Sequence, residues 1–532
     1  MPATFDRNDD SVVAIVGSGA GGGTLGYELA KKGIDTVILE AGPRIEPEEH
    51  IDDEWPAFNQ LSWLDMRTTS GSWRIAKDFP NSPAWMCKVV GGTTVHWAGC
   101  CPRFHDYEFR VRSEYGEIPG ATLLDWPIGP KDLEPYYDRA ESNIGVAGTN
   151  SLPLHRPDNN AKVLFEGAKR MGYKSFSTGR YGMNSVPYDG RPATIQDGFC
   201  FQGNRSRAKW STLVADIPKG EKTGHLEVRP NSQVLQVQHN GGGKVTGVLY
   251  ADADGNHHVQ KARVVCVAGN SIETPRLLLN SASDQHPDGL ANSSGKVGKN
   301  YMRHVSDTCW GVFEKPVHFY RGNTMNGIVE DEAHNDPEGR GFVGGFYMET
   351  IHLGPSFMAT FMNPHSWGRE FTELMDAYEN FAGMWLVGED MPSATNRVTL
   401  NEDVKDQHGL PVPNVHYDDH KNDVEMRDYA ADKARTVYEA VGAIKTVRTP
   451  PFPSGHNLGT CRMSENPADG VVNRFGQAHD VPNLFVSDGS QFTTGAAANP
   501  TLTIALAIPV GHQVWNGRDP GGSVPATSGM AA

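Results

Sequence analysis

The chain has 532 residues, a formal net charge of −16 and an apolar content of 38%. That length accommodates two domains and a large core, and the acidic balance excludes broad attraction to nucleic acid or to an anionic membrane surface. No apolar run approaches the ~20 residues that cross a bilayer, and the polar start from Met1 to Asp10 lacks a signal-peptide pattern, so a cytoplasmic protein is expected.

The first apolar run, Val12 to Val16, ends in Gly17-Ser18-Gly19-Ala20-Gly21-Gly22, a Gly-x-Gly-x-x-Gly turn. A helical pattern from Thr24 to Lys32 and a second apolar run, Thr36 to Leu39, lead to Glu40. This strand, turn, helix, strand and acid predict a dinucleotide site. Gly17 permits the tight turn, Gly19 lets a pyrophosphate approach the backbone and Gly22 lets helix and strand pack closely. The helix N-terminus offers free N–H groups to the phosphates, and Glu40 suits ribose hydroxyls. Residues 46–85 read as an irregular excursion over the site, followed by a second glycine segment, Val89 to Gly99, containing Gly91, Gly92, Thr94 and His96. Short helical patterns follow, Lys131 to Asn143 and Asn160 to Met171.

From Leu226 the pattern changes to a predicted β-meander: Leu226–Val228, Ser232–Gln238, Val245–Ala251 and His257–Gln260, with Asn240-Gly241-Gly242-Gly243 as a hairpin turn. Val264 to Gly269 is a late strand of the nucleotide sheet, with a helix from Glu273 to Asn280. Cys309–Phe313, Phe342–Met348, Phe357–Met362, Met384–Val387 and Arg397–Leu400 read as strands of a second, antiparallel sheet, and a helix from Asp423 to Val441 leads back. Near the end, Leu484 to Val486 is a short buried strand closed by Asp488-Gly489, where a strand end meets a ligand. Pro500 suits the first position of a helix from Thr501 to Leu506, which makes Asn499 its N-cap and Pro509 its stop.

The seven cysteines include no C-x-x-C pair, which argues against a disulfide framework and a zinc site; no metal site is expected, and Cys100-Cys101 reads as two buried thiols. His456 and Asn499, each in a glycine-flanked segment, form a plausible acid–base pair. Histidine is the natural base near neutral pH, and asparagine holds a hydroxyl without titrating. On spacing alone, a histidine in a glycine-rich turn is more often structural and an N-cap asparagine more often a simple helix cap.

Three segments together resemble the glucose–methanol–choline (GMC) oxidoreductases, flavoenzymes that oxidise alcohols. They are the Gly17–Gly22 turn with Glu40, the Gly91-Gly92 segment, and the block from His456 to Asn499. Val90 to Trp97 with Pro102-Arg103-Phe104, and Asn499 to Thr503, are similar to the pyranose oxidase and sugar dehydrogenase branch. The resemblance implies an α/β fold: a Rossmann-like FAD-binding domain (1–45, 86–104, 205–305 and 445–520) with an inserted substrate domain on an antiparallel sheet (105–204 and 306–444) and a flexible tail, 521–532.

It also implies FAD as the cofactor, His456 as base and Asn499 as its partner. Gly91, Gly92, Thr94, His96, Gly269, Asp488, Gly489, Pro500 and Thr501 would contact FAD, with the backbone of Val234 at the adenine and His96 as either a flavin contact or a covalent anchor. Cys200 stands alone where relatives carry an iron–sulfur cysteine cluster, so no such cluster is expected. His456 would take a hydroxyl proton as a hydride leaves for flavin N5. The implied reaction converts a secondary hydroxyl of a pyranose or glycoside, at C2 or C3, to a ketone, with electrons passing to a non-oxygen acceptor. A peroxide-forming oxidase and an electron-carrying flavoprotein subunit are the alternatives. A small subunit, export with such a partner and a cytochrome-type acceptor are also implied. Trp385 and Glu389, beside Asn363, His365 and Asp390, are sugar-contact candidates, since aromatic faces stack on sugars and polar groups bind their hydroxyls.

Overall fold

The structure, a computed structural model, describes residues 3–62, 68–72, 86–362, 367–451 and 454–506. Five parallel strands form the nucleotide sheet: β1 (Val13–Val16), β2 (Thr36–Leu39), β3 (Leu226–Arg229), β4 (Val264–Val267) and β5 (Leu484–Val486), in the order β5-β4-β1-β2-β3. Val13 aligns with Thr36 on one side and Val264 on the other. The strands β1, β2, β4 and β5 are almost wholly apolar because both faces are covered, whereas the edge strand β3 alternates, with Glu227 and Arg229 half-buried. Val13, Ile15, Ile38 and Phe485 pack on one face with Leu25 and Leu29 of helix α1 (Ala20–Ala30), and Ala14, Val37, Leu39 and Val265 join the larger core on the other. Each such buried side chain contributes roughly 1.5–3 kcal/mol.

Leu226–Arg229 therefore leaves the predicted meander. It pairs in parallel with β2, Thr36 against Leu226, and only Gln233–His239, Val245–Ala251 and His257–Lys261 form the antiparallel meander. Leu-Glu-Val-Arg alternates apolar and polar residues as any half-buried strand does, and alternation over four residues does not say whether its partner runs parallel or antiparallel.

Helix α1 begins at Ala20, earlier than its apolar pattern, and contains Gly21, Gly22, Gly23 and Gly26. Each glycine weakens a helix by roughly 0.5–1 kcal/mol relative to alanine. Proximity requires them: a Cβ on Gly21 would lie 1.6 Å from the Ser487 carbonyl oxygen, and one on Gly22 2.0 Å from that of Gly17.

The second sheet has six antiparallel strands, in the order Lys445–Arg448, Val305–Val312, Phe381–Gly388, Phe346–Thr350, Ile328–Val329, Phe176–Ser177. Lys445–Arg448, which the sequence division puts on the cofactor side, is thus an edge strand of this sheet. Arg397–Lys405 belongs instead to a separate three-stranded sheet with Pro411–His416 and Thr69-Ser70. The predicted strand Phe357–Met362 is a helix, Pro355–Phe361. Pro355 occupies its first turn, and the Glu54 carboxylate, on the helix Glu54–Gln60 of the excursion, accepts the N–H groups of Gly354 and Phe357. Asn363, His365, Pro509 and the tail lie outside the described residues.

Candidate active site

One cavity runs between the two sheets, and all the sequence-predicted site residues among the described residues line it except Gly22, Gly91, Glu389 and Asp390. Its walls begin at the C-terminal ends of β1, β2, β4 and β5, the expected ligand edge of a parallel sheet. Gly17 has φ +94°, a left-handed turn that disfavours any side chain, and Gly19 leaves open space on the cavity side, where an added Cβ would find nothing nearer than Gly92 Cα at 3.9 Å.

Ser18 ties three distant segments together. Its hydroxyl donates to Glu40 at 2.6 Å and accepts from the Gly91 N–H at 2.9 Å. Glu40 also accepts from the N–H groups of Ser18 and Gly42, so it braces the turn as well as lining the cavity. Thr94 bonds the Gly91 carbonyl, and Asp488 accepts from Asn270 N, Thr274 Oγ1 and Ser490 N, which joins β5 to the helix α2 (Asn270–Asn280).

His96 donates through Nδ1 to the Phe201 carbonyl at 2.7 Å. Burial pushes its pKa down to about 3, so the ring is neutral with a lone pair on Nε2. That atom is buried without a hydrogen-bond partner among the described residues, as are Oδ1 of Asn499 and Nδ2 of Asn457, and all three residues line the cavity. Lys209 holds the same wall. Its ammonium donates to the carbonyls of Val95, Trp97 and Cys200, and burial lowers its pKa to about 8.

At the other end stand His456 and Asn499. Asn499 does not cap a helix. The short helix Thr501–Ile504 is capped by Pro500, and the Asn499 amide donates to Glu349 Oε2 at 3.3 Å. Glu349 is wholly buried, also accepts from Cys100 Sγ, and is pushed up to about 7 by desolvation. Glu108, equally buried, receives the Ala497 N–H at 2.7 Å and so fixes the loop that carries Asn499. His456 Nδ1 lies 3.0 Å from His304 Nδ1, and its Nε2 has no partner among the described residues. Burial drives His456 well below the usual imidazole pKa, with the neighbouring His304 adding to the effect.

Trp385 lines the cavity with its indole N–H donating to Ser306 at 2.6 Å. Glu389 is elsewhere. It is buried, accepts from Tyr115 OH at 2.7 Å and is pushed up to about 8 by burial and by Glu108. Ser18, Glu349, His304 and Lys209 escape a motif-based reading. For Glu349 the signal is one acid inside the apolar strand Phe346–Thr350, and for Ser18 its place inside the glycine turn. All seven cysteines are free thiols, and among the described residues no three His, Cys, Asp or Glu side chains cluster as a metal site.

A family model described as GMC oxidoreductase matches residues 12–306, and its C-terminal counterpart matches 392–507. The chain belongs to the GMC oxidoreductase family. It is 34% identical to a 2-methyl-1,2-propanediol dehydrogenase of Mycolicibacterium austroafricanum, over 97% of this chain and 96% of that protein. It is 28% identical to the fructose dehydrogenase large subunit of Gluconobacter japonicus, over 93% of this chain and 95% of that one. The crystal structure of a pyridoxine 4-oxidase from Mesorbium loti has the same fold, with a TM-score of 0.67, 17% identity, and coverage of 95% of this chain and 99% of that one. The protein is therefore an FAD-dependent oxidoreductase acting on the CH–OH group of alcohols or sugars. The residues present fit FAD: an open glycine turn for a pyrophosphate, and buried unpartnered polar atoms of His96, Asn457 and Asn499 along the same cavity. Among the described residues no helix is long and apolar enough to cross a membrane.

Proposed function

We propose that the chain oxidises a secondary hydroxyl of a pyranose or glycoside, at C2 or C3, to a keto sugar and passes the electrons to an acceptor other than oxygen. The observation that carries this reading is the pairing, in one cavity, of a neutral His456 with Nε2 uncommitted and an Asn499 amide held by Glu349. Bound FAD would accept the hydride. The chain's own residues supply the rest. His456 Nε2 takes the hydroxyl proton, a contribution of roughly 10²–10⁴-fold. The second N–H of Asn499 holds the alcohol oxygen and stabilises charge as the proton leaves. Trp385 offers an apolar face for a sugar ring.

Gly17, Gly19 and Glu40 would hold the adenosine diphosphate half of FAD, with Val234 at the adenine. Gly92, Thr94, His96, Gly269, Asp488, Gly489, Pro500 and Thr501 would line the rest of it. Gly22 and Gly91 support that shape from behind. His96 Nε2 serves either mode of attachment, contact or covalent bond. Yellow colour in an acid-precipitated pellet identifies the bond, and colour in the supernatant identifies the contact. The relative named as a large subunit supports a small-subunit partner for this chain, tested by co-purification.

The deciding experiment is a donor screen with an artificial electron acceptor: D-glucose, D-fructose, methyl β-D-glucopyranoside, 1,2-propanediol and 2-methyl-1,2-propanediol, with NMR to locate the new carbonyl and an assay for peroxide. A ring ketone without peroxide supports the proposal. Oxidation of the small diols alone overturns the sugar reading, stoichiometric peroxide selects the oxidase, and no bleaching of the flavin with any donor leaves the electron-carrying subunit. His456→Ala should slow flavin reduction by about 10²–10⁴-fold with FAD still bound. An undiminished rate removes His456 as base.

A further inference from the structure

The buried imidazole of His304 touches the proposed base, and the sequence motifs do not explain it. Its Nε2 lies 2.9 Å from the Gly495 carbonyl oxygen. A carbonyl only accepts, so Nε2 carries the hydrogen. Burial holds the ring below its ordinary pKa, and a neutral ring then has its lone pair on Nδ1. That Nδ1 faces Nδ1 of His456 at 3.0 Å, with the rings edge-on at 78°. A hydrogen bond between them exists only if His456 Nδ1 carries the hydrogen. Neutral His456 is left with its lone pair on Nε2.

The surroundings hold this chain of donors in one direction. Met302 and Leu458 exchange backbone hydrogen bonds at 3.1 and 2.9 Å, which clamps the two histidine-bearing segments together. His304 has φ +64°, in the left-handed region, and the preceding Arg303 N–H is pinned to Asp390 at 2.8 Å. A Cβ on Gly495 would lie 3.1–3.2 Å from the His304 ring, so glycine permits the approach. Gly495 is in the loop that ends at Asn499.

We propose that His304 is a positioning residue that fixes the tautomer and aim of His456, so that one loop sets both active-site side chains: Asn499 directly, and His456 through the Gly495 carbonyl and His304. The proposal rests on the assignment of His456 as base. The charged and titratable groups facing His304 are Asp390, Arg303 and His456 itself.

The test starts with the wild-type holoenzyme. Selective ¹⁵N-histidine NMR should show His456 protonated on Nδ1 and bare on Nε2, and the opposite tautomer overturns the proposal whatever any variant does. Next, His304→Leu should lower the rate constant for flavin reduction by about 10²-fold, with the fastest donor of the screen above. KM should stay within about threefold, and the acid limb of the pH profile should move toward lower pH, because leucine removes the acceptor that favours the protonated form of His456. His304→Asn keeps an acceptor near the Nδ1 position and suits a left-handed backbone, so it should recover at least tenfold of the loss. In a His456→Ala background, His304→Leu should cost less than about threefold, because its effect runs through His456. A full additional loss there overturns the relay while leaving the base assignment intact. A wild-type rate for His456→Ala alone overturns the base assignment instead.

Discussion

Gly19 and Gly21 belong to one glycine turn, yet the structure gives them separate duties that alanine substitution separates. A methyl on Gly21 would sit 1.6 Å from Ser487 O and 2.7 Å from its carbonyl carbon. Ordinary contact is about 3.5 Å or more, and the obstacle is backbone, so no rotamer change relieves it. Helix α1 must shift away from β5, which carries Asp488 and Gly489 at its end. Overpacking of this kind costs about 1–3 kcal/mol in a core that can adjust, and the rigid obstacle places Gly21→Ala at the upper end or beyond. A methyl on Gly19 meets nothing nearer than 3.9 Å and projects beside the cavity. Gly19→Ala should therefore fold with normal soluble yield and circular dichroism while losing at least about 10-fold in FAD affinity, roughly 1.4 kcal/mol. Gly21→Ala should lose soluble yield or melt roughly 3 °C or more lower. The assay is the FAD-to-protein absorbance ratio with a thermal melt on protein as purified. Wild-type melting of Gly21→Ala refutes the close packing of helix on strand end. Full FAD occupancy in Gly19→Ala refutes the pyrophosphate role of the turn.

Glu349→Gln should abolish an ionisation near pH 7 in the flavin-reduction profile, because the Glu349 carboxyl is pushed up to about 7 and Gln cannot titrate; persistence of that limb shows that it belongs to another group. Protein stability should fall as pH rises from about 6.5 to 8, above the range in which the buried neutral His96, His304 and His456 oppose the trend. Glu108 and Glu349 are held near 7 and Glu389 near 8, all raised above the unfolded value of 4.5 by desolvation, so the native state binds more protons in that window and loses stability as they leave. Each shift is worth on the order of a few kcal/mol, and urea midpoints that rise with pH over that range contradict the argument. Lys209→Met leaves the carbonyls of Val95, Trp97 and Cys200 without their donor, at about 1–3 kcal/mol per group. It should lower both the melting temperature and FAD content, and an unchanged melt shows that water replaces the ammonium.

The sequence by itself determined the parts whose physics is local. A glycine turn between an apolar strand and a helix has few other uses, so Gly17, Gly19 and Glu40 were legible from a short window, and the family resemblance then linked them to His456 and Asn499 at the far end of the chain. Short strand-like runs carry little information about their partners, and here the reading failed. Leu226–Arg229 joined the parallel sheet, Arg397–Lys405 a third sheet, and Phe357–Met362 a helix started by Pro355 and Glu54. Only the tertiary structure decided what surrounds the His456 and Asn499 side chains. It turned Asn499 from a helix cap into a partner of Glu349, took Glu389 away from the cavity and set His304 behind His456. Those contacts join residues separated by about 150 positions or more, Asn499 to Glu349 and His456 to His304 among them. No periodicity or spacing encodes such a pairing, because it exists only once two sheets have closed over one cavity and removed the water that would otherwise satisfy each polar group.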